Sequence, residues 1–264
     1  MKARDIRDHF LSRADWLHRT KTVDRIIVGD PERDVTRCLV AWMPSFEAIR
    51  TAVARGVELL VCHEPTFWDH WDDSPQNKPH CKEKLDYLLK TGLVILRNHD
   101  CWDRWPRIGI PWAWAQFLGF AGEPAAVAGS GYLHRYDIEP IRFEDFARRV
   151  AARTAAIGEP AVEVVGEPGQ LVSKIGVGTG CGCDVFQYIE MGCDCSIVCD
   201  DGSYYWQHMQ FAADRGHPVL CVNHATSEEP GMVTLTRYIN ENTAGVAAEH
   251  LPQGCRFRRV SAGS

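Results

Sequence analysis

Six short apolar runs, each bounded by a turn residue or a charge, limit this chain to an α/β architecture. They are RCLVAW (37–42), ELLVC (58–62), GLVIL (92–96), KIGVG (174–178), CSIVC (195–199) and PVLCV (218–222). Runs this short that are apolar throughout read as strands buried on both faces. Helical patterns lie between them. SFEAIRTAVARG (45–56) opens on Ser45, whose hydroxyl can cap the first turn, and stops at Gly56. KEKLDYLLKTG (82–92) stops in the same way at Gly92. FEDFARRVAARTAAIG (143–158) spaces Phe143, Phe146, Val150 and Ile157 at helical intervals before Gly158, and DVFQYIEMG (184–192) and HMQFAADRG (208–216) repeat the form. Strand alternating with helix predicts mainly parallel or mixed sheets covered by helices.

The rhythm breaks between about Ala125 and Pro168, where Gly/Pro punctuation (AVAGSGY, IEP, GEPAVEVVGEPG) surrounds a single helix. The sequence therefore reads as a first α/β half over 1–125, a junction with one helix over 126–168, and a second α/β half over 169–264.

Charge removes several function classes. A net charge of -6 over 264 residues offers no basic face for nucleic acid. No apolar run reaches the roughly 20 residues that span a bilayer. The opening MKARDIRDHFLSRADWL is charged and amphipathic without a secretory apolar core, so the expected location is cytoplasmic. Eleven cysteines in a chain of this length predict reduced thiols rather than a disulfide framework. Five of them, Cys181, Cys183, Cys193, Cys195 and Cys199, lie close together but lack the C-x-x-C spacing of a metal knuckle. They read as small buried hydrophobes before they read as cluster ligands.

The chemistry sits at strand ends. His63-Glu64 follows ELLVC, His99 and Asp103 follow GLVIL, and His224 and Glu228 follow PVLCV. In open α/β sheets, ligand sites form beyond the carboxyl ends of strands. Three strands thus deliver imidazole plus carboxylate to the place where such a fold builds a site. Each histidine alone could be a hydrogen-bonded core residue; three clusters in equivalent places favour a metal. Six candidate ligands exceed what one ion takes and suit a pair about 3.5–4 Å apart, which would activate a shared water for hydrolysis. His70, His80, His134, His208, His217 and His250 are scattered and carry no such pattern.

At these residues the chain resembles the Nif-three-like family of dinuclear-metal proteins, known also as GTP cyclohydrolase I type 2 homologues. VGDPERDVTRCLVAWMPSFEAIRTAVARGVELLVCHEP is similar to the family's entry region, which ends in His-His-Pro. RNHDCWDRWP resembles its His-x-x-x-Asp segment, KIGVGTGCGCDVFQYIEMGCDCSIVCDD its Gly-rich strand–turn–helix, and VNHATSEEPGM its final His-x-x-x-Glu signature. The resemblance implies two similar α/β halves with the metals in a cleft between them, and assembly as a toroidal homohexamer. It implies His63, His99, Asp103, His224 and Glu228 as ligands, with Asp103 and Glu228 bridging two divalent transition-metal ions (Zn, Fe or Mn). The chain departs where the family has its second histidine: it has Glu64, read either as a sixth ligand that favours Mn or Fe, or as a general base. The family's Thr-Gly-Glu strand end is here Val198-Cys199-Asp200-Asp201.

The resulting expectation is a metal-dependent, hydrolase-like enzyme that uses metal-bound hydroxide on a small polar or heterocyclic substrate, with Glu64 and Glu228 as its catalytic carboxylates. The alternatives are a non-catalytic metal-stabilised ring that binds a protein or metabolite, and a metal-delivery or cofactor-assembly protein. Trp68, Trp71, Trp102 and Trp105 flank the candidate ligands and read first as packing, second as a platform for a flat ring. GTGCGCD (178–184) opens a helix after a strand but lacks a phosphate-loop signature.

Overall fold

The computed structural model describes residues 1–258, 260 and 262. Two compact units form: residues 1–113 with 230–252, and residues 114–229 with the described residues from 253 onward. In chain order the first unit supplies α1 (Ala3–Arg13), β1 (Ile26–Val28), β2 (Arg37–Ala41), α2 (Phe46–Ala54), β3 (Leu59–Cys62), α3 (Lys82–Thr91), β4 (Val94–Arg97) and the single turn α4 (Asp100–Asp103). Helix α5 (Ile110–Leu118) carries the chain into the second unit, which holds β5 (Ala126–Ala128), β6 (Leu133–Arg142), α6 (Phe143–Ala155), β7 (Glu163–Val165) and β8 (Leu171–Val177). It continues with α7 (Val185–Glu190), β9 (Cys195–Cys199), α8 (Gln210–Arg215) and β10 (Val219–Val222). Helix α9 (His224–Asn242) returns the chain to the first unit and to β11 (Ala247–His250).

All six expected strands form. Caps behave as their residues dictate: Ser45 accepts from Ala48 N at the start of α2, and Gly92 ends α3 in the left-handed region.

The first unit's sheet runs β1-β4-β3-β2-β11, with β1 alone antiparallel. Its apolar residues form one cluster around Val40, Val61 and Trp102 and another around Leu39, Leu60 and Ile95. Alternate residues of β2 and β3 feed the two clusters, which is why those strands are apolar throughout. Register places the His63 and His99 segments together. Cys62 pairs with Arg97, and Asn98 N donates to Cys62 O at 2.8 Å, so His63 and His99 leave neighbouring strand ends.

The second unit's sheet runs β5-β6-β8-β9-β10-β7, with β8, β9 and β10 parallel. Cys199 pairs with Val222, so Asp200-Asp201 and Asn223-His224 also leave neighbouring strand ends. The segment 126–168, set apart in the sequence as a junction, instead supplies three antiparallel strands to this sheet. β5 and β7 are three-residue edge strands and the distal part of β6 is largely exposed, so none shows the apolar signature of a central strand. Residues 230–252, placed in the second half by sequence, belong to the first unit.

Candidate metal centre

In the first unit the elements deliver His63, His99 and Asp103 to one point. One ligand atom from each lies within 4.8 Å of the others. His63 is fully buried; its Nδ1 lies 3.3 Å from Asn98 O and its Nε2 3.2 Å from Asp103 Oδ1. The His63 and His99 rings stack with centroids 4.3 Å apart and planes 13° from parallel. His99 Nδ1 stands 2.9 Å from Asp100 Oδ1 and 3.2 Å from Asp103 Oδ2. Burial pushes the His99 pKa down, but Asp103 and the Asp100 hydrogen bond outweigh it and lift it to about 10. Such clustering of negative charge on stacked imidazoles is an attractive field for a cation.

Asp24, a residue that sequence reasoning passed over, shapes this segment. Its buried carboxylate accepts from the backbone N–H groups of His99, Asp100 and Cys101, the last at 2.7 Å. It caps the turn that holds Asp103 from 75 or more positions away in the chain. Asp100 in turn accepts from Val23 N at 3.1 Å, and its pKa falls to about 2 because the His99 and backbone hydrogen bonds outweigh its burial. A buried Asp24 beside Asp100 has its pKa raised, first by desolvation and then by that neighbouring charge.

Glu64 is half-buried. Its N–H and that of His63 share Trp42 O, at 2.8 and 3.0 Å. Arg97, buried at the end of β4, donates from Nε to His63 O at 3.0 Å and from Nη1 to His70 O, and its Nη2 lies 4.0 Å from Glu64 Oε2. His70, expected to be an ordinary histidine, therefore anchors the same loop and meets His99 edge-on at 6.0 Å.

The second unit holds the other pair. His224 Nε2 lies 3.1 Å from Glu228 Oε2, one turn along α9, and its Nδ1 lies 3.0 Å from Asp201 Oδ2. His224 N donates to Asp200 Oδ1 at 2.9 Å, and Asn223 Nδ2 donates to Asp200 Oδ2 at 2.8 Å. The Asp-Asp strand end thus orients the imidazole, with the His224 hydrogen bond holding Asp201 below the usual carboxylate range. Ser227 Oγ donates to His224 O at 2.8 Å and accepts from Cys199 Sγ at 3.1 Å. The Gly-rich 178–184 turn packs against this pair: a Cβ on Gly180 would stand 2.6 Å from His224 Nε2 and 2.7 Å from Glu228 Oε1. Its glycine permits close approach to these two side chains.

The donor chemistry fits a divalent ion. Each unit brings imidazole nitrogen and carboxylate oxygen together, and each histidine is held through its second nitrogen by a carbonyl or carboxylate, the usual support of a ligating imidazole. Among the described residues, the groups able to hold a metal contain no cysteine. Cys183, Cys193, Cys195 and Cys199 are buried and Cys181 is exposed, and burial pushes the thiols of Cys193, Cys195 and Cys199 up, Cys193 to about 12. Trp102 and Trp105 are core residues packed with Phe10 and Tyr238, whereas Trp68 and Trp71 are exposed. No helix among the described residues is long and apolar enough to cross a membrane.

Comparison with known proteins agrees with this architecture. The chain is 23% identical over 230 residues to the GTP cyclohydrolase 1 type 2 homolog of Clostridium perfringens, covering 82% of each chain. The crystal structure of the Staphylococcus aureus hypothetical protein SA1388 superposes with a TM-score of 0.80 at 17% identity, covering 98% of this chain and 99% of that one. A Bacillus cereus protein related to NIF3 superposes with a TM-score of 0.76 at 14% identity, covering 98% and 99%. The family model for Duf34/NIF3 (NGG1p interacting factor 3) matches residues 1–252, and the chain belongs to that family.

Proposed function

We propose that the chain is a metal-dependent, hydrolase-like enzyme acting on a small polar or heterocyclic substrate. The metal ligands in this reading are His63, His99 and Asp103 in the first unit and His224 and Glu228 in the second. The observation that carries it is the convergence of His63, His99 and Asp103 donor atoms within 4.8 Å. The name of the Clostridium perfringens relative supports a cyclic substrate, because a cyclohydrolase opens a ring by adding water. A bound divalent ion supplies Lewis acidity, which lowers the pKa of a coordinated water and stabilises negative charge. The protein's own part is to orient ligands: Asn98 O holds His63, Asp100 holds His99, and Asp201 holds His224. Glu228 lies beside His224, where its carboxylate can hold or pass a proton. Assembly into a homohexamer and a cytoplasmic location complete the proposal.

Elemental analysis of protein purified without chelator tests it, alongside His63→Ala, Asp103→Asn, His224→Ala and Glu228→Ala. Bound divalent metal in the parent and its loss in the variants is the expected result. Metal content near zero, or unchanged by all four substitutions, overturns the reading.

A further inference from the structure

Of the four tryptophans near the candidate ligands, Trp102 and Trp105 pack in the core, while Trp68 and Trp71 stay 52% and 45% exposed. Single exposed indoles are ordinary, but these two are held out on a tightly fixed loop. Trp68 and Asp72 adopt φ of +58 and +50, a region that strains a bulky or buried non-glycine residue. The buried Asp72 carboxylate accepts from Thr66 N at 2.8 Å and Phe67 N at 2.6 Å. Asp69 accepts from Trp71 N at its carboxylate, 2.9 Å, and from Asp72 N at its carbonyl, 2.8 Å. Arg97 donates to His70 O, and Arg25 donates to Trp71 O. Backbone strain persists only where the surroundings over-determine it, and it gathers at ligand clamps.

One ring joins Trp71 to the candidate ligands. The Trp71 indole meets the His70 imidazole edge-on, with centroids 4.9 Å apart and planes at 88°. His70 in turn meets His99 at 6.0 Å and 88°, and His99 stacks on His63. The His70 side chain is exposed, and its ring nitrogens have no hydrogen-bond partner among the described residues. The pair therefore combines an aromatic surface with a free polar edge. That combination suits a flat ring whose heteroatoms need hydrogen bonds.

Resting on the proposed metal-dependent reading, the geometry points to His70 and Trp71 as the subsite that takes the substrate's ring, and to a planar heterocycle as the substrate class. Trp71 stacks the ring. His70 hydrogen-bonds a ring nitrogen or carbonyl and sets the ring beside His99. A saturated ring or an open chain has no π face and gains nothing there.

The test uses the full chain loaded with Zn2+ and two planar probes, guanosine 5′-monophosphate and nicotinamide. Ribose 5-phosphate and piperidine-3-carboxamide are their counterparts without an aromatic ring. Saturation-transfer NMR titration gives each probe Kd, and calorimetry after chelator treatment gives the Zn2+ Kd. The proteins compared are the parent, Trp71→Ala, Trp71→Phe, His70→Ala and His63→Ala. The parent should bind at least one planar probe about tenfold more tightly than its counterpart, and Trp71→Ala should lose that gain. Trp71→Phe should stay within about threefold of the parent, because stacking survives a change of ring. His70→Ala should weaken the probe about fivefold, the loss of one neutral hydrogen bond. Trp71→Ala and His70→Ala should both keep the parental Zn2+ Kd. Planar probes bound no better than their counterparts overturn the inference, as does Trp71→Ala with parental probe binding. His70→Ala that loses Zn2+ overturns it too, since His70 would then be a ligand. Should Trp71→Ala fail to fold, Trp71→Leu decides by the same readings. Parent protein that binds no Zn2+, or His63→Ala that binds it as the parent does, refutes the underlying functional reading instead.

Discussion

The α-carbon of Gly180 sits against the side chain of His224, so close that a Cβ would stand 2.6 Å from the ring Nε2. Gly180 also has φ +52, a conformation that costs an L-residue about 1–2 kcal/mol. Gly180→Ala therefore meets both penalties. It should lower stability by about 2 kcal/mol in urea titration and displace His224 and Glu228 enough to reduce metal affinity at least tenfold.

Asp24 should matter more than its place in a polar N-terminal stretch suggests. Asp24→Ala leaves three backbone N–H groups at the start of α4 without their acceptor. A loss of about 2–4 kcal/mol is expected, since hydrogen bonds to a charged acceptor are among the strong ones and the donors are left in a buried setting. Metal titration of the folded fraction should show weakened binding, because His99 and Asp103 flank that turn.

Lys84 gives a pH signature. Its Nζ donates to Thr66 O at 2.6 Å and lies 4.4 Å from the Trp68 ring centroid. Burial pulls its pKa down from 10.5 to about 8, against the opposing charges of Cys62, Asp72 and Cys81. Below pH 8 both folded and unfolded lysine are protonated and the fold carries the full cost of burying the charge. Between about 8 and 10.5 the unfolded chain binds the extra proton, so this residue's contribution becomes more favourable as pH rises. The stability difference between the parent and Lys84→Met should shift toward the parent by up to about 3 kcal/mol across that window. A difference that is flat with pH in parallel urea titrations would refute this.

The tryptophans should divide. Trp102 is fully buried and its Nε1 donates to Gly231 O at 2.8 Å, so Trp102→Ala should cost about 3–5 kcal/mol. Trp71 is 45% exposed, and Trp71→Ala should cost less than about 1 kcal/mol by the same thermal or urea measurement.

The central sheet strands, and the polar residues placed just beyond their ends, are legible in the amino-acid order. Continuous apolar runs such as ELLVC and CSIVC can satisfy burial only between two packed layers, and polar residues at their ends must leave the core together. The placement of His63, His99, Asp103, His224 and Glu228 beyond strand ends was legible for that reason, as were the helix stops at Gly56, Gly92 and Gly216.

Tertiary structure decided the rest. Asp24 reaches the His99 turn across 75 positions, and Asp201 reaches His224 across 23, because strand register sets these partners and no local pattern encodes it. The strands of 126–168 lie toward the sheet's edges, where one exposed face or a three-residue length hides the apolar signal. Glu64 was visible as a departure, but the approach of Arg97 was not, because only the parallel pairing of β3 and β4 carries that guanidinium to the same strand end.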